Sequence, residues 1–152
     1  MPSPSRAVSQ VASMVIDGRS RPCHNDHGES LGSPDEIRDF YTWFRDSKMV
    51  DEHGRPRVMY HGTSATFDRF KTPAFFTDDR HYARSRGTRI MRVYVALQNP
   101  CEMPMGGGWS IPIIERDAIH YAQSQGHDGV ILRADDDDAF FVALFPDQIR
   151  LR

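Results

Sequence analysis

The chain has 152 residues, 39% of them apolar, which is enough for one domain with a real core and too few for two. Its formal net charge of −2 and its lack of a basic block argue against a phosphate-led partner, so nucleic acid is not expected. Cys23 and Cys101 make neither a disulfide framework nor a zinc spacing, no run approaches the roughly 18 apolar residues of a membrane span, and the opening residues lack the core of a secretory signal. A soluble, cytoplasmic protein with no metal and no membrane partner is the expectation.

Residues 1–33 hold seven serines, three prolines and three glycines around one short apolar patch, Val11 to Ile16, and read as a disordered tail. His24 and His27 beside Cys23 have the residue types of a metal cluster, but no second cluster follows, and a solvated tail explains them better. One domain is expected over 34–152. It opens at Ser33-Pro34-Asp35-Glu36, where a capping serine, a proline at the first helical position and two acids precede a stripe of Ile37, Phe40, Tyr41 and Phe44.

A turn at 51–56 leads into an extended Arg57-Val58-Met59-Tyr60-His61 that ends at Gly62. Ala74-Phe75-Phe76-Thr77 reads as a short buried strand, and Thr77-Asp78-Asp79 starts a helix through Tyr82 and Arg86, closed by Gly87. A strand follows from Ile90 to Leu97, ended by Asn99-Pro100. Past a loop at 105–108, Ile114, Ala118, Ile119 and Ala122 mark a helix stopping at Gly126, and Val130-Ile131-Leu132 and 140–145 are two strands separated by the four aspartates of 135–138. With no alternating strand-helix series, the expected class is α+β with a mostly antiparallel sheet.

Common catalytic signatures are missing: there is no phosphate loop, dinucleotide glycine fingerprint, Gly-x-Ser-x-Gly elbow or His-Glu-x-x-His helix. Tyr60-His61-Gly62-Thr63 instead sets an imidazole, a bare backbone position and a hydroxyl within four residues. Such a loop can bind a ribose and let a planar amide lie on the glycine, although a histidine that merely holds a turn has the same sequence.

The runs Phe44-Arg45-Asp46-Ser47-Lys48-Met49-Val50-Asp51, Gly54-Arg55-Pro56 and Val58-Met59-Tyr60-His61-Gly62-Thr63 resemble the start of the ADP-ribosyltransferase domains of phage polyvalent proteins and related bacterial toxins. Later pieces agree in order: Phe67 and Phe70, Phe75-Phe76-Thr77, Ala83 and Ser85, the strand from Val93 to Pro100, Gly126-His127-Asp128-Gly129-Val130 and Phe145-Pro146-Asp147-Gln148-Ile149. The resemblance spans residues 35–152. It implies a split sheet that clamps NAD as co-substrate and transfers ADP-ribose with release of nicotinamide, in the branch, similar to diphtheria toxin and the poly(ADP-ribose) polymerases, that uses a histidine, a tyrosine and an acidic or amide residue.

By that resemblance His61 contacts the adenosine ribose and the Gly62 backbone holds the nicotinamide carboxamide, with Tyr60 and Thr63 beside them. The second and third motifs depart from the pattern. Arg86 stands where relatives carry a tyrosine, so ring stacking passes to Tyr82, Phe75 or Phe76, and Arg86 becomes a pyrophosphate contact. Phe140 stands where an acid is often found, which leaves Asp138, Asp136 or Gln148 for the third catalytic position; Asp138 is the choice, because it shares a strand face with Phe140 if extension starts there.

The expected function is mono-ADP-ribosyl transfer from NAD to a protein acceptor by a phage or bacterial effector or toxin, with delivery into a host cell as one setting. The competing reading is a non-catalytic NAD- or protein-binding module that keeps the fold.

Overall fold

The computed structural model describes residues 13–64, 70–84, 86–104, 111–133 and 139–152. Expectations placed on Phe67, Ser85, 105–108 and 135–138, and so on Asp136 and Asp138, lie outside the described residues. None of the described helices is long and apolar enough to cross a membrane.

Helix α1 (Pro34–Phe44) begins as its sequence dictates. Ser33 and Glu36 form a reciprocal cap, in which the serine hydroxyl accepts from the Glu36 N–H and the Glu36 carboxylate accepts from the Ser33 N–H at 2.9 Å. That box satisfies two of the helix's orphan donors. Its apolar stripe, Ile37, Phe40, Tyr41 and Phe44, is buried against Val58, Tyr60, Tyr94 and Ala96 of the sheet.

A seven-stranded sheet carries the fold, built from β3 (Met59–Thr63), β4 (Ala74–Thr77), β5 (Arg89–Val95), β6 (Pro100–Pro104), β7 (Gly129–Arg133), β8 (Ala139–Ala143) and β9 (Ile149–Leu151) in the spatial order β6-β7-β8-β4-β3-β5-β9. All neighbours are antiparallel except β6 and β7, which helix α3 (Ile111–Ser124) connects as a crossover. The class is α+β, as expected. Strands β6 and β9 carried no clear signal of their own: both are short edge strands following Asn99-Pro100 and the 3-10 turn Pro146–Gln148.

One sheet face is covered in two halves. Helix α1 lies over β3 and β5, while α3 sets Ala118 and Ala122 on Val130, Leu132, Phe140 and Val142. The opposite face is a continuous apolar layer in which Met59, Val93, Phe76 and Phe141 pack with Met49, Phe70 and Leu97.

Residues 13–33 differ from the expected tail. A second, two-stranded sheet forms from β1 (Ser13–Ile16) and β2 (Arg19–Pro22), turned at Asp17 and Gly18 with φ of 52° and 77°. Asp-Gly is a strong signal for this two-residue hairpin, and it stands in the sequence between Ile16 and Arg19. Met14, Ile16, Cys23 and Leu31 then pack on the cluster beneath α1.

The loop after the hairpin is held by polar groups. Asn25, fully buried, accepts on its side-chain oxygen from the N–H groups of His27 and Glu29, and its amide donates to the Tyr94 hydroxyl at 3.0 Å. Asp26 accepts from Val58 N–H, and the Asp26 N–H donates to Pro56 O, both at 3.0 Å. Composition reads apolar content and therefore misses a segment ordered by one satisfied asparagine and a few docking contacts.

Candidate active site

Backbone pairing thins out at one place in the sheet. Strands β3 and β5 match over five residue pairs and β4 and β8 over four, whereas β3 and β4 share only Tyr60 opposite Thr77. Beyond that pair, a side chain makes the link: His61 Nδ1–H donates to Phe75 O at 2.7 Å. A carbonyl only accepts, so the imidazole carries a proton on Nδ1, and in the neutral ring Nε2 is the acceptor nitrogen. Phe70 and Phe76 pack on the ring at 5.2 and 5.5 Å between centroids.

The short helix α2 (Arg80–Arg84) closes over this opening. Asp79 caps it, accepting from His81 N–H at 2.9 Å on its carboxylate, and Ala83 is buried. Two glycines allow the helix to come so near. A Cβ on Gly62 would stand 1.7 Å from Ala83 O, and one on Gly87 would stand 2.3 Å from the Thr63 carbonyl carbon. Strand and helix therefore touch through backbone, so the absence of a side chain at Gly62 is required by packing before any ligand is considered.

What remains between strands and helix is a cavity of about 210 Å³. Tyr60, His61 and Gly62 of β3 line one side and Phe75, Phe76 and Thr77 of β4 the other. Tyr82, Ala83 and Arg86 come from α2 and its following turn, and Phe140 from β8. Drug-sized ligands occupy pockets of roughly 300–1,000 Å³, so the enclosed part suits one ring and its substituent, and a larger molecule would continue outside.

The lining is chiefly aromatic. Phe75, Tyr82 and Phe140 belong to the apolar cluster under α3, with the Tyr82 and Phe140 rings 4.7 Å apart at 62°, whereas Phe76 belongs to the layer on the opposite face. Arg86, exposed, donates to the Tyr82 hydroxyl at 3.3 Å and sets its guanidinium 5.6 Å from the Tyr82 ring centroid. A cation thus stands at the mouth of an apolar slot. Among the described residues no carboxylate lines it.

Seven residues singled out from the sequence meet here: Tyr60, His61, Gly62, Phe75, Phe76, Tyr82 and Arg86. Thr63 does not line the cavity; it pairs with Arg89 of β5 and backs the Gly87 turn. Gln148 does not line the cavity. Its side-chain oxygen accepts from Leu144 and Phe145 N–H and its amide donates to Asp128 O at 2.8 Å, so it buckles the turn before β9, away from the cavity.

Sequence reading missed three lining residues and one supporting residue. Thr77, Ala83 and Phe140 enter because β4, α2 and β8 converge; Thr77 and Ala83 stood in the motif pieces and Phe140 stood as a departure, but none of them was named as a site residue. His27 sits behind the cavity wall with Nε2 3.4 Å from the Tyr60 hydroxyl, and no signal in its own neighbourhood of sequence reveals that.

The same docked loop carries a carboxylate held well below its ordinary range. Arg92, then Asn25, then Arg152 hold Glu29 from its ordinary 4.5 down to about 2. Tyr94 beside it is pushed up by burial.

A family model described as ADP-ribosyltransferase in polyvalent proteins matches residues 51–151, two-thirds of the chain and every residue that lines the cavity. No curated protein and no solved structure matches. The match falls on the split sheet, the helix that closes it and the strands beside them, and the chain belongs to the ADP-ribosyltransferase family of polyvalent proteins.

Proposed function

We propose that the cavity between β3, β4 and α2 is the nicotinamide site of a mono-ADP-ribosyltransferase that moves ADP-ribose from NAD to a protein acceptor. The observation that carries this reading is the convergence of His61, Gly62, Phe75, Tyr82 and Arg86 on one ring-sized slot where the sheet stops pairing. The nicotinamide ring lies against Phe75, Tyr82 and Phe140 with its carboxamide on the Gly62 backbone. His61 contacts the adenosine ribose, and Arg86 at the mouth takes the diphosphate, with its planar fork matched to phosphate oxygens.

In the transfer the bond between the ribose anomeric carbon and the pyridinium nitrogen breaks, and its electron pair neutralises the departing nicotinamide. The acceptor nucleophile bonds to the same carbon and gives up a proton. Positive charge gathers at the sugar in between, and a fixed carboxylate nearby lowers that barrier more than a strong base would. Asp138 is assigned this role, because it stands two residues before Phe140 in sequence. A phage or bacterial effector or toxin fits a module of this kind, acting in the cytoplasm of the producing cell or of a host that receives it.

Nicotinamide release and incorporation of labelled ADP-ribose test the proposal together. Asp138→Asn is expected to cut turnover about a hundredfold with NAD affinity little changed, the scale of losing one electrostatic stabiliser. Asp136→Asn is the control, and a loss carried by it instead moves the role two residues. The second reading, a module that binds NAD or a protein without transfer, is motivated by Arg86 and Phe140 standing where the family pattern has a tyrosine and an acid. Saturable NAD binding with no nicotinamide release would establish that one.

A further inference from the structure

Arginine charge in this protein is mostly neutralised in place. Arg92 and Arg152 pair with Glu29, Arg150 with Asp39, Arg55 with Asp51 and Arg57 with Asp78. Helix α2 is different. Residues 80–89 contain Arg80, Arg84, Arg86, Arg89 and His81 and no acid, although the whole chain carries a net charge of −2. Arg80 and Arg84 are exposed, and among the described residues neither guanidinium has a hydrogen-bond or ion-pair partner.

The two lie on one side of the helix, four residues apart and about 6 Å along its axis. Tyr82, which lines the cavity, is turned from Arg80 by about 200°, and Arg86 lines the cavity from the turn that follows the helix. Arg80 and Arg84 instead border a separate open cleft of about 680 Å³ with Ser64, Gly87, Thr88 and Ile90, and among the described residues this cleft shares no lining with the cavity. Because Gly62 and Gly87 lock α2 and its turn to β3, the cleft is held in fixed relation to the slot.

We propose that this cleft docks an acidic segment of the acceptor protein, with Arg80 and Arg84 gripping its carboxylates while the neighbouring residue of that segment enters the transfer site. The inference rests on the transferase reading above. Two free guanidinium groups on a helix too short for a broad stripe match a pair of carboxylates. A nucleic acid would call for more phosphate contacts along the groove than two arginines on one short helix supply, and among the described residues the cleft lining has no aromatic residue. The diphosphate of NAD, seated from the cavity, lies on the Arg86 side of the helix.

The test uses the full chain and a fluorescein-labelled decaglutamate peptide, followed by anisotropy, with decaglutamine and a ten-nucleotide single strand alongside. Decaglutamate is expected to bind with an affinity that falls as salt rises, and the R80E/R84E variant is expected to weaken it by about tenfold or more. The milder R80Q/R84Q variant should fall between and guards against misfolding of the charge-reversed protein. Nicotinamide release to water and the KM for NAD should be unchanged in both. Preference for the DNA strand, unchanged peptide affinity in both variants, or a raised KM for NAD would each overturn the inference. A wild-type chain that releases no nicotinamide, yet binds decaglutamate through Arg80 and Arg84, would overturn the transferase reading and leave the acidic-segment docking surface standing.

Discussion

The two halves of the covered sheet face are built in different ways. The half beneath α3, strands β6, β7 and β8, is held by long registers and by Val130, Leu132 and Val142, all fully buried. The half beneath α1 combines its apolar stripe with the polar loop at 23–31, where Asn25, Asp26 and Glu29 reach Tyr94, Val58 and Arg92. Between them β3 and β4 keep a single pair. A sheet that is well anchored on both flanks can open in the middle without falling apart, and in the opening polar and aromatic side chains take over from backbone pairing. The candidate site is that opening.

The comparison breaks first at Gly62. Gly62→Ala should cost about 3 kcal/mol or more, since the added carbon meets the Ala83 carbonyl and not a flexible side chain that can move aside. Thermal unfolding of the variant measures this, and near-wild-type stability would show that α2 does not rest on β3 as described. A branched residue at this position is therefore no clean probe of carboxamide binding, because the helix is displaced first.

Next comes Asn25. Asn25→Ala removes a buried side chain that satisfies Tyr94 and two loop N–H groups, and a loss of about 2–3 kcal/mol in urea unfolding is expected. Truncation before Pro34 should cost at least as much. Either change without effect would return residues 13–33 to the status of a tail.

His61 tests the opening itself. His61→Ala should lose about 1–3 kcal/mol, because Phe75 O is left without its donor, and should weaken NAD binding as well. His61→Asn places an amide donor near the position of Nδ1 and is expected to recover stability without recovering affinity. Calorimetry on the two variants separates the bridging role from the ligand-facing one. Equal affinity in all three proteins would leave His61 as a bridge only.

The smallest effect concerns pH. Glu29 has a folded-state value of about 2 against an ordinary 4.5, so its contribution to stability is fully present above about 4.5 and is lost as pH falls from there towards 2. The urea midpoint should decline over that window in the wild type. Glu29→Gln should remove the part of the slope that belongs to the docked loop, and an unchanged slope would mean that the ion pairs with Arg92 and Arg152 are screened by solvent.

Local patterns in the chain were sufficient for several features. Ser33-Pro34-Asp35-Glu36 and its stripe specify α1 because capping and periodicity act within a dozen residues. Ala74-Phe75-Phe76-Thr77 and Thr77-Asp78-Asp79 likewise specify a strand abutting a capped helix, and Tyr60-His61-Gly62 marks the strand beside it. Asp17-Gly18 carries the hairpin just as locally, but the surrounding serines and prolines outweigh it in a reading by composition.

Other features depend on residues far apart in the chain and had no local signature. The order of strands, which puts β4 beside β3 and Phe140 against Tyr82, arises from packing two helices on one sheet face. The burial of Asn25 against Tyr94 joins residues 69 positions apart, and the withdrawal of Gln148 into backbone hydrogen bonds depends on Asp128. Even Gly62, recognisable in sequence as a place where backbone must be bare, could not be tied to Ala83 until the helix lay on the strand. Residue types and spacing determine which short elements can form; the partners that satisfy buried polar groups, and the gap left where pairing stops, are decided only when those elements compete for the same surface.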